Sequence, residues 1–173
     1  LVVTAPPGFG KTSLVANLVA ATPEAFAYHF FAPVYGAETL DETFFLQNVV
    51  QQMSAWDDAA QEVPDSLNEL RALYQQLVET PREHSQVLVL DGLDEVGSWR
   101  LAPYLSRRLP PNLHIIVTVR DVGQDWRADY EFPRDQVTPL PLGGLDREEV
   151  RELFAGLGTP DDGVIIDDDL LTE

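Results

Sequence analysis

Residues 5–13 read Ala-Pro-Pro-Gly-Phe-Gly-Lys-Thr-Ser and come directly after the apolar run Leu1-Val2-Val3. A strand that feeds a glycine-rich turn into a helix start gathers backbone N–H groups and the positive end of a helix dipole around one point, which suits a phosphate group. In that pattern Gly8 lets the loop turn tightly, Lys11 reaches the β- and γ-phosphates, and the Thr12 hydroxyl ligates Mg²⁺. Pro7, Gly8, Phe9, Gly10, Lys11, Thr12 and Ser13 are therefore the candidate nucleotide-binding residues. Such a loop usually begins with glycine; here the place is taken by Ala5, whose methyl group restricts positive φ.

Two further stretches carry chemistry. Gln86-Val87-Leu88-Val89-Leu90-Asp91 is an apolar strand that ends in a carboxylate, followed by Gly92-Leu93-Asp94-Glu95. A parallel strand beside the first would deliver Asp91 to the Mg²⁺ position as an outer-shell ligand. Asp94 and Glu95 lie just beyond, where either could orient and deprotonate an attacking water. Leu113 to Val119 is a third apolar run, and it ends in Arg120. If this strand lies between the other two, Arg120 faces the γ-phosphate and can stabilise charge developing on it.

These residues need a scaffold that brings strand ends together. Five apolar runs, Leu1 to Thr4, Ala25 to Phe31, Gln86 to Leu90, Leu113 to Val119 and a weaker one at Val137 to Leu142, alternate with helical patterns. Such alternation predicts an α/β fold with a parallel sheet covered on both faces, and the need to bring Lys11, Asp91 and Arg120 to one sheet edge gives the order 5-1-4-3-2, that of a three-layer P-loop NTPase sheet of five strands. Helices are expected from Lys11 to about Ala21, after a capping box at Thr39-Leu40-Asp41-Glu42, and after a second box at Ser66 and Glu69. Gly97 to Leu109 is expected to be helical and to stop at Pro110-Pro111, and Asp146 with Glu149 to cap a last helix through Phe154. Residues 1–158 form the expected NTPase core, and residues 159–173 an acidic linker and the start of a truncated helical region.

Composition narrows the partners. The 173 residues carry 11 Lys and Arg against 29 Asp and Glu, a net charge of −18 that repels nucleic acid phosphates and anionic headgroups. Direct binding to nucleic acid or membrane by this segment is therefore not expected. There is no Cys, so disulfides and thiolate metal sites are excluded, and the three His are scattered. No apolar run approaches the length of a membrane span and no signal-peptide pattern opens the chain, which points to a cytoplasmic location.

In that order and with two helices between the second and third strands, "APPGFGKTSL", "VLVLDGLDE" and "IIVTVR" resemble the STAND class of P-loop ATPases, most closely its NACHT-type members. The resemblance covers nearly the whole chain, and "DGLDE" is its most specific part. It implies ATP and Mg²⁺ as cofactors, a Mg²⁺-supporting role for Asp91, a catalytic acidic pair at Asp94 and Glu95, and a strand-end arginine at Arg120. It also implies a slowly hydrolysing regulatory switch within a larger signalling protein, whose nucleotide state controls oligomerisation or effector activation. Helical and winged-helix regions would then follow residue 173.

Two other functions compete. The same ATPase could drive a DNA-binding transcription regulator, which would need an appended helix-turn-helix, or the loop could serve a small-molecule phosphotransferase, which the Arg-ended strand and the lack of an Arg-rich lid oppose. His29 reads as a core histidine, Trp56, Trp99 and Trp126 as packing residues, Arg107 and Arg108 as complements to a helix dipole, and the aspartate runs at 161–162 and 167–169 as solvated loop charge.

Overall fold

The computed structural model describes residues 1–57, 62–105, 109–121, 123, 125–132, 136–146, 148, 149, 151 and 152. The chain divides into two units, Leu1–Leu142 and Gly143–Glu173. In the first, strands β1 (Val2–Ala5), β2 (Phe26–Phe30), β3 (Gln86–Asp91), β4 (Leu113–Arg120) and β5 (Pro139–Pro141) form one sheet in the order β2-β3-β4-β1-β5. All four pairings are parallel. Read from the other edge, this is the predicted order 5-1-4-3-2. The strand carrying Asp91 is not beside β1, however: β4 lies between them, so Asp91 and the loop after β1 meet across an intervening strand.

Strand alternation divides the core in two. Leu88, Leu90, Val117 and Val119 face a large cluster built with α2 (Glu42–Ser54) and α3 (Leu67–Glu79), while Val89 and Phe26 face Val15 and Val19 of α1 (Lys11–Ala21) on the other side. With helices on both faces, the sheet is buried on both, which is why its strands read as continuous apolar runs. The same period of two puts Asp91, Thr118 and Arg120 on the α1 face, in step with Val89.

Three helix expectations need correction. Helix α2 is capped by Asp41, whose Oδ1 accepts from the backbone N–H groups of Thr43 and Phe44 at 2.8 and 3.0 Å. The Thr39 hydroxyl instead donates to carbonyls of the preceding loop, at Ala32 and Gly36, so no Thr39–Glu42 box forms. Ser66 is the cap residue of α3 but makes no side-chain capping bond. Between Gly97 and Leu105 there is no α-helix, only a 3₁₀ turn at Ala102–Tyr104. Pro103 has no N–H to continue a ladder, and Trp99 and Tyr104 are drawn instead into an aromatic cluster with Phe31, Phe45 and Tyr74. The Trp99 indole N–H donates to the Leu40 carbonyl at 2.7 Å and the Tyr74 hydroxyl to the Tyr104 carbonyl at 2.7 Å, which ties this segment to α2 and α3. A short helix α4 (Trp126–Asp129) follows β4.

In the second unit, Asp146 and Glu149 form the expected reciprocal cap. Asp146 accepts from the N–H groups of Glu148 and Glu149, and Glu149 accepts from the N–H of Asp146. Arg107, Arg108 and residues 153–173, with the expected linker and aspartate runs, lie outside the described residues. Among the described residues no helix is long and apolar enough to cross a membrane.

Candidate functional site

The loop between β1 and α1 is exposed from Pro6 to Gly10. Gly8 and Gly10 adopt φ of 84° and 80°, which only glycine takes without strain, and a Cβ at either would point into open space. Ala5 needs no such freedom. It is the last residue of β1, buried and paired with Arg120 across the sheet, so the departure from the usual leading glycine carries no backbone penalty. Gly10 precedes α1 without any side-chain cap, and the first turn holds no acidic residue, unlike α2 with its Asp41. The first N–H groups of α1 thus have no side-chain cap, and N–H groups so placed can meet an anion. Pro7, Phe9 and Ser13 border this loop on its exposed side.

Lys11 folds back over the loop, its Nζ donating to the carbonyls of Ala5 at 2.8 Å and Pro6 at 3.1 Å. Burial lowers the pKa of this ammonium, opposed by the charges of Asp94 and Asp91 and reinforced by Arg120. Those couplings place all four groups in one electrostatic neighbourhood. Thr12 donates its hydroxyl proton to Asp91 Oδ2 at 2.7 Å, which leaves the lone pairs of its oxygen for a cation.

The turn after β3 is built residue by residue for this task. Asp91 is 4% exposed and its other oxygen, Oδ1, accepts from Thr118 at 2.6 Å. Gly92 has φ of 78°, and a Cβ there would come within 2.7 Å of the Phe31 carbonyl, so no other residue fits. Leu93 is fully buried and anchors the following 3₁₀ turn, Leu93–Glu95, in the core. Asp94 and Glu95 are left on the open side. There Arg120 Nε pairs with Asp94 at 3.0 Å, a second guanidinium nitrogen pairs with Glu95, and the Arg120 backbone N–H donates to Asp94 at 3.1 Å.

Every predicted site residue therefore sits at one end of the sheet. Arg120 differs from expectation in one respect: its guanidinium is held by the two acidic residues that were read as water-orienting groups. Thr118 was missed by motif reading. Its signal was the two-residue alternation that puts it on the same face of β4 as Arg120.

A match to the NACHT domain model spans residues 1–157. The chain belongs to the NACHT family. It is thus a P-loop NTPase module, of a kind that binds nucleotide with Mg²⁺. Solved structures with the same fold include the Walker-type ATPase PABY2304 of Pyrococcus abyssi, with 16% identity over 92% of this chain and 54% of that one at a TM-score of 0.50. They also include a chain of the Drosophila ORC structure bound to DNA, with 16% identity over 93% of this chain and 40% of that one at a TM-score of 0.51. A chain of Drosophila ORC bound to GC-rich DNA and Cdc6 has 11% identity over 91% and 58%, at 0.50. This NACHT domain thus spans 40% to 58% of the length of those chains. No curated protein matches the sequence.

The residues of this NACHT domain fit a Mg²⁺–nucleotide. The uncapped helix start and the two positive-φ glycines suit phosphate oxygens, and the Thr12–Asp91 pair is a hard-oxygen donor set suited to Mg²⁺. No group of three or more His, Cys, Asp or Glu that could hold a metal ion occurs among the described residues. A cavity of about 1090 Å³ opens near Leu1, Leu113, Phe132 and Val137, at the other end of the strands, and is lined by none of the candidate nucleotide-binding, Mg²⁺ or catalytic residues. His29 is 2% exposed, with Nε2 at 2.8 Å from the Thr39 carbonyl and Nδ1 at 3.0 Å from the Asn48 amide, and has a structural role.

Proposed function

We propose that this NACHT domain binds ATP with Mg²⁺, hydrolyses it slowly, and serves as the regulatory switch of a larger signalling protein. The loop from Pro7 to Ser13 holds the phosphates, Thr12 and Asp91 hold Mg²⁺, and Mg²⁺ supplies neutralisation of phosphate charge. Glu95, with the longer reach, orients and deprotonates the attacking water, Asp94 supports it, and Arg120 stabilises charge on the γ-phosphate.

The observation that carries this reading is the Arg120 pairing with Asp94 and Glu95. While that pairing persists, neither the cation nor the water-orienting carboxylate is free for chemistry. Turnover then requires a rearrangement at the end of β4, and a site built that way favours two long-lived states over rapid cycling. The ATP and ADP forms differ in oligomeric state or in contact with effector regions.

A switch that acts on DNA through another region is the second reading, favoured only by the fold shared with ORC chains bound to DNA. The charge of −18 argues that the segment itself does not hold the duplex. The test is light scattering of the intact protein with MgATP or MgADP, each with and without duplex DNA. A mass that rises with ATP alone supports the first reading. A DNA requirement supports the second, and the same mass in every condition contradicts control of oligomerisation by nucleotide in either reading.

A further inference from the structure

The inner oxygen of Asp91 is not left to solvent. Asp91 Oδ1 accepts from the Thr118 hydroxyl at 2.6 Å, and the same hydroxyl accepts from the backbone N–H of Gly92 at 2.8 Å. Thr118 is 1% exposed. A hydroxyl has one proton, and an N–H can only donate, so these two bonds fix each other: Gly92 occupies a lone pair and the Thr118 proton must go to Asp91. No water or alternative partner is needed to satisfy the trio.

We propose that Thr118 is a positioning residue for the Mg²⁺ site, acting through Asp91. By claiming Oδ1 it leaves Oδ2 as the oxygen that faces α1, where it takes the Thr12 proton and turns the Thr12 lone pairs outward. The bond to Gly92 fixes the turn that follows, so one hydroxyl sets both the carboxylate rotamer and the start of the acidic loop. Arg120, two residues on and on the same face of β4, holds the far end of that loop through Asp94 and Glu95. Residues 118 and 120 thus act on the two halves of the loop from one strand.

This inference rests on the reading that Thr12 and Asp91 hold Mg²⁺ beside a nucleotide, and the test separates the two. A fluorescent ATP analogue is titrated into the intact protein in MgCl₂ and in EDTA, and the ratio of the two affinities reports the Mg²⁺ contribution. Thr118→Val keeps the shape and removes the hydroxyl. It should lower the ratio by about 10- to 100-fold, the usual cost of losing a group that orients a metal ligand, with the EDTA affinity unchanged. Thr118→Ser should keep the wild-type ratio, and Thr118→Cys, a weak donor of similar size, should fall between. If Thr118→Val does not fold, Thr118→Cys against Thr118→Ser carries the comparison.

A folded valine or cysteine variant with the wild-type ratio would overturn the proposal, as would a serine variant that falls as far as valine. Wild-type protein that binds the analogue equally in MgCl₂ and EDTA would instead overturn the Mg²⁺ reading of Thr12 and Asp91, and this inference with it.

Discussion

Replacing Glu95 by glutamine removes one negative charge at nearly constant shape, and the structure says how its effects should divide. Glu95 contributes to folding through its pair with Arg120, whose side chain is 45% exposed against 29% for Glu95. A pair that open to water is worth roughly 0.2–1 kcal/mol, and the Asp94 bond to Arg120 remains in the variant. Melting should therefore shift by no more than about 4 °C for a domain of this size. As the general base, Glu95 contributes about 10²- to 10⁴-fold to hydrolysis, or about 3–5 kcal/mol of barrier. The catalytic effect is thus several times the structural one, and the two can be read separately. Single-turnover hydrolysis of γ-labelled ATP by the intact protein, with nucleotide affinity and melting measured on the same samples, gives all three quantities. Slow hydrolysis with retained affinity and fold is the expected result. Wild-type hydrolysis by both Glu95→Gln and Asp94→Asn would refute the assignment of a water-activating carboxylate to this loop. A large loss of stability in Glu95→Gln would show that the residue is structural.

Gly92→Ala places a Cβ 2.7 Å from the Phe31 carbonyl at a φ of 78°, and should cost about 1–3 kcal/mol in chemical denaturation and weaken Mg²⁺-dependent nucleotide binding. Gly97→Ala, with nothing within 4 Å of the new methyl and no positive φ, should stay within about 0.5 kcal/mol of wild type. Equal effects at the two positions would remove the argument for a built turn. Burial lowers the pKa of His29 below 6.5, partly opposed by its bond to the Thr39 carbonyl. The unfolded chain then binds a proton near that pH that the folded chain resists, so the contribution to stability is full above it and is lost as pH falls through the folded value. Denaturation at about pH 7.5 and about pH 5.5 should show a larger loss for wild type than for His29→Gln. Equal losses would mean that His29 does not titrate in this way.

The sheet order was legible because the three motif-bearing strands had to deliver Lys11, Asp91 and Arg120 to one edge, and parallel pairing with helical crossovers leaves few ways to do so. Helices α2 and α3 were legible from apolar spacing. Their caps were less so, since Thr39 and Asp41 are both good cap residues, and the choice fell to the loop carbonyls that claimed the Thr39 hydroxyl. The segment from Gly97 was misread because Leu101, Tyr104 and Leu105 have helical spacing. Tertiary packing of Trp99 and Tyr104, together with Pro103, decided its conformation instead. Alternation puts Thr118 on the face of Arg120, but its bond to Asp91 and the Arg120 ion pairs were not legible, because they depend on cross-strand neighbours that sequence spacing does not specify.

Lys11→Ala tests the central claim most directly, because Lys11 supplies the one cationic side chain of the phosphate loop. A fluorescent ATP analogue titrated into wild-type and variant protein in MgCl₂ should give saturable binding to the first and little or none to the second, with melting of the nucleotide-free proteins alike. Equal affinity for the two proteins would contradict the assignment of the loop from Pro7 to Ser13 as the nucleotide site.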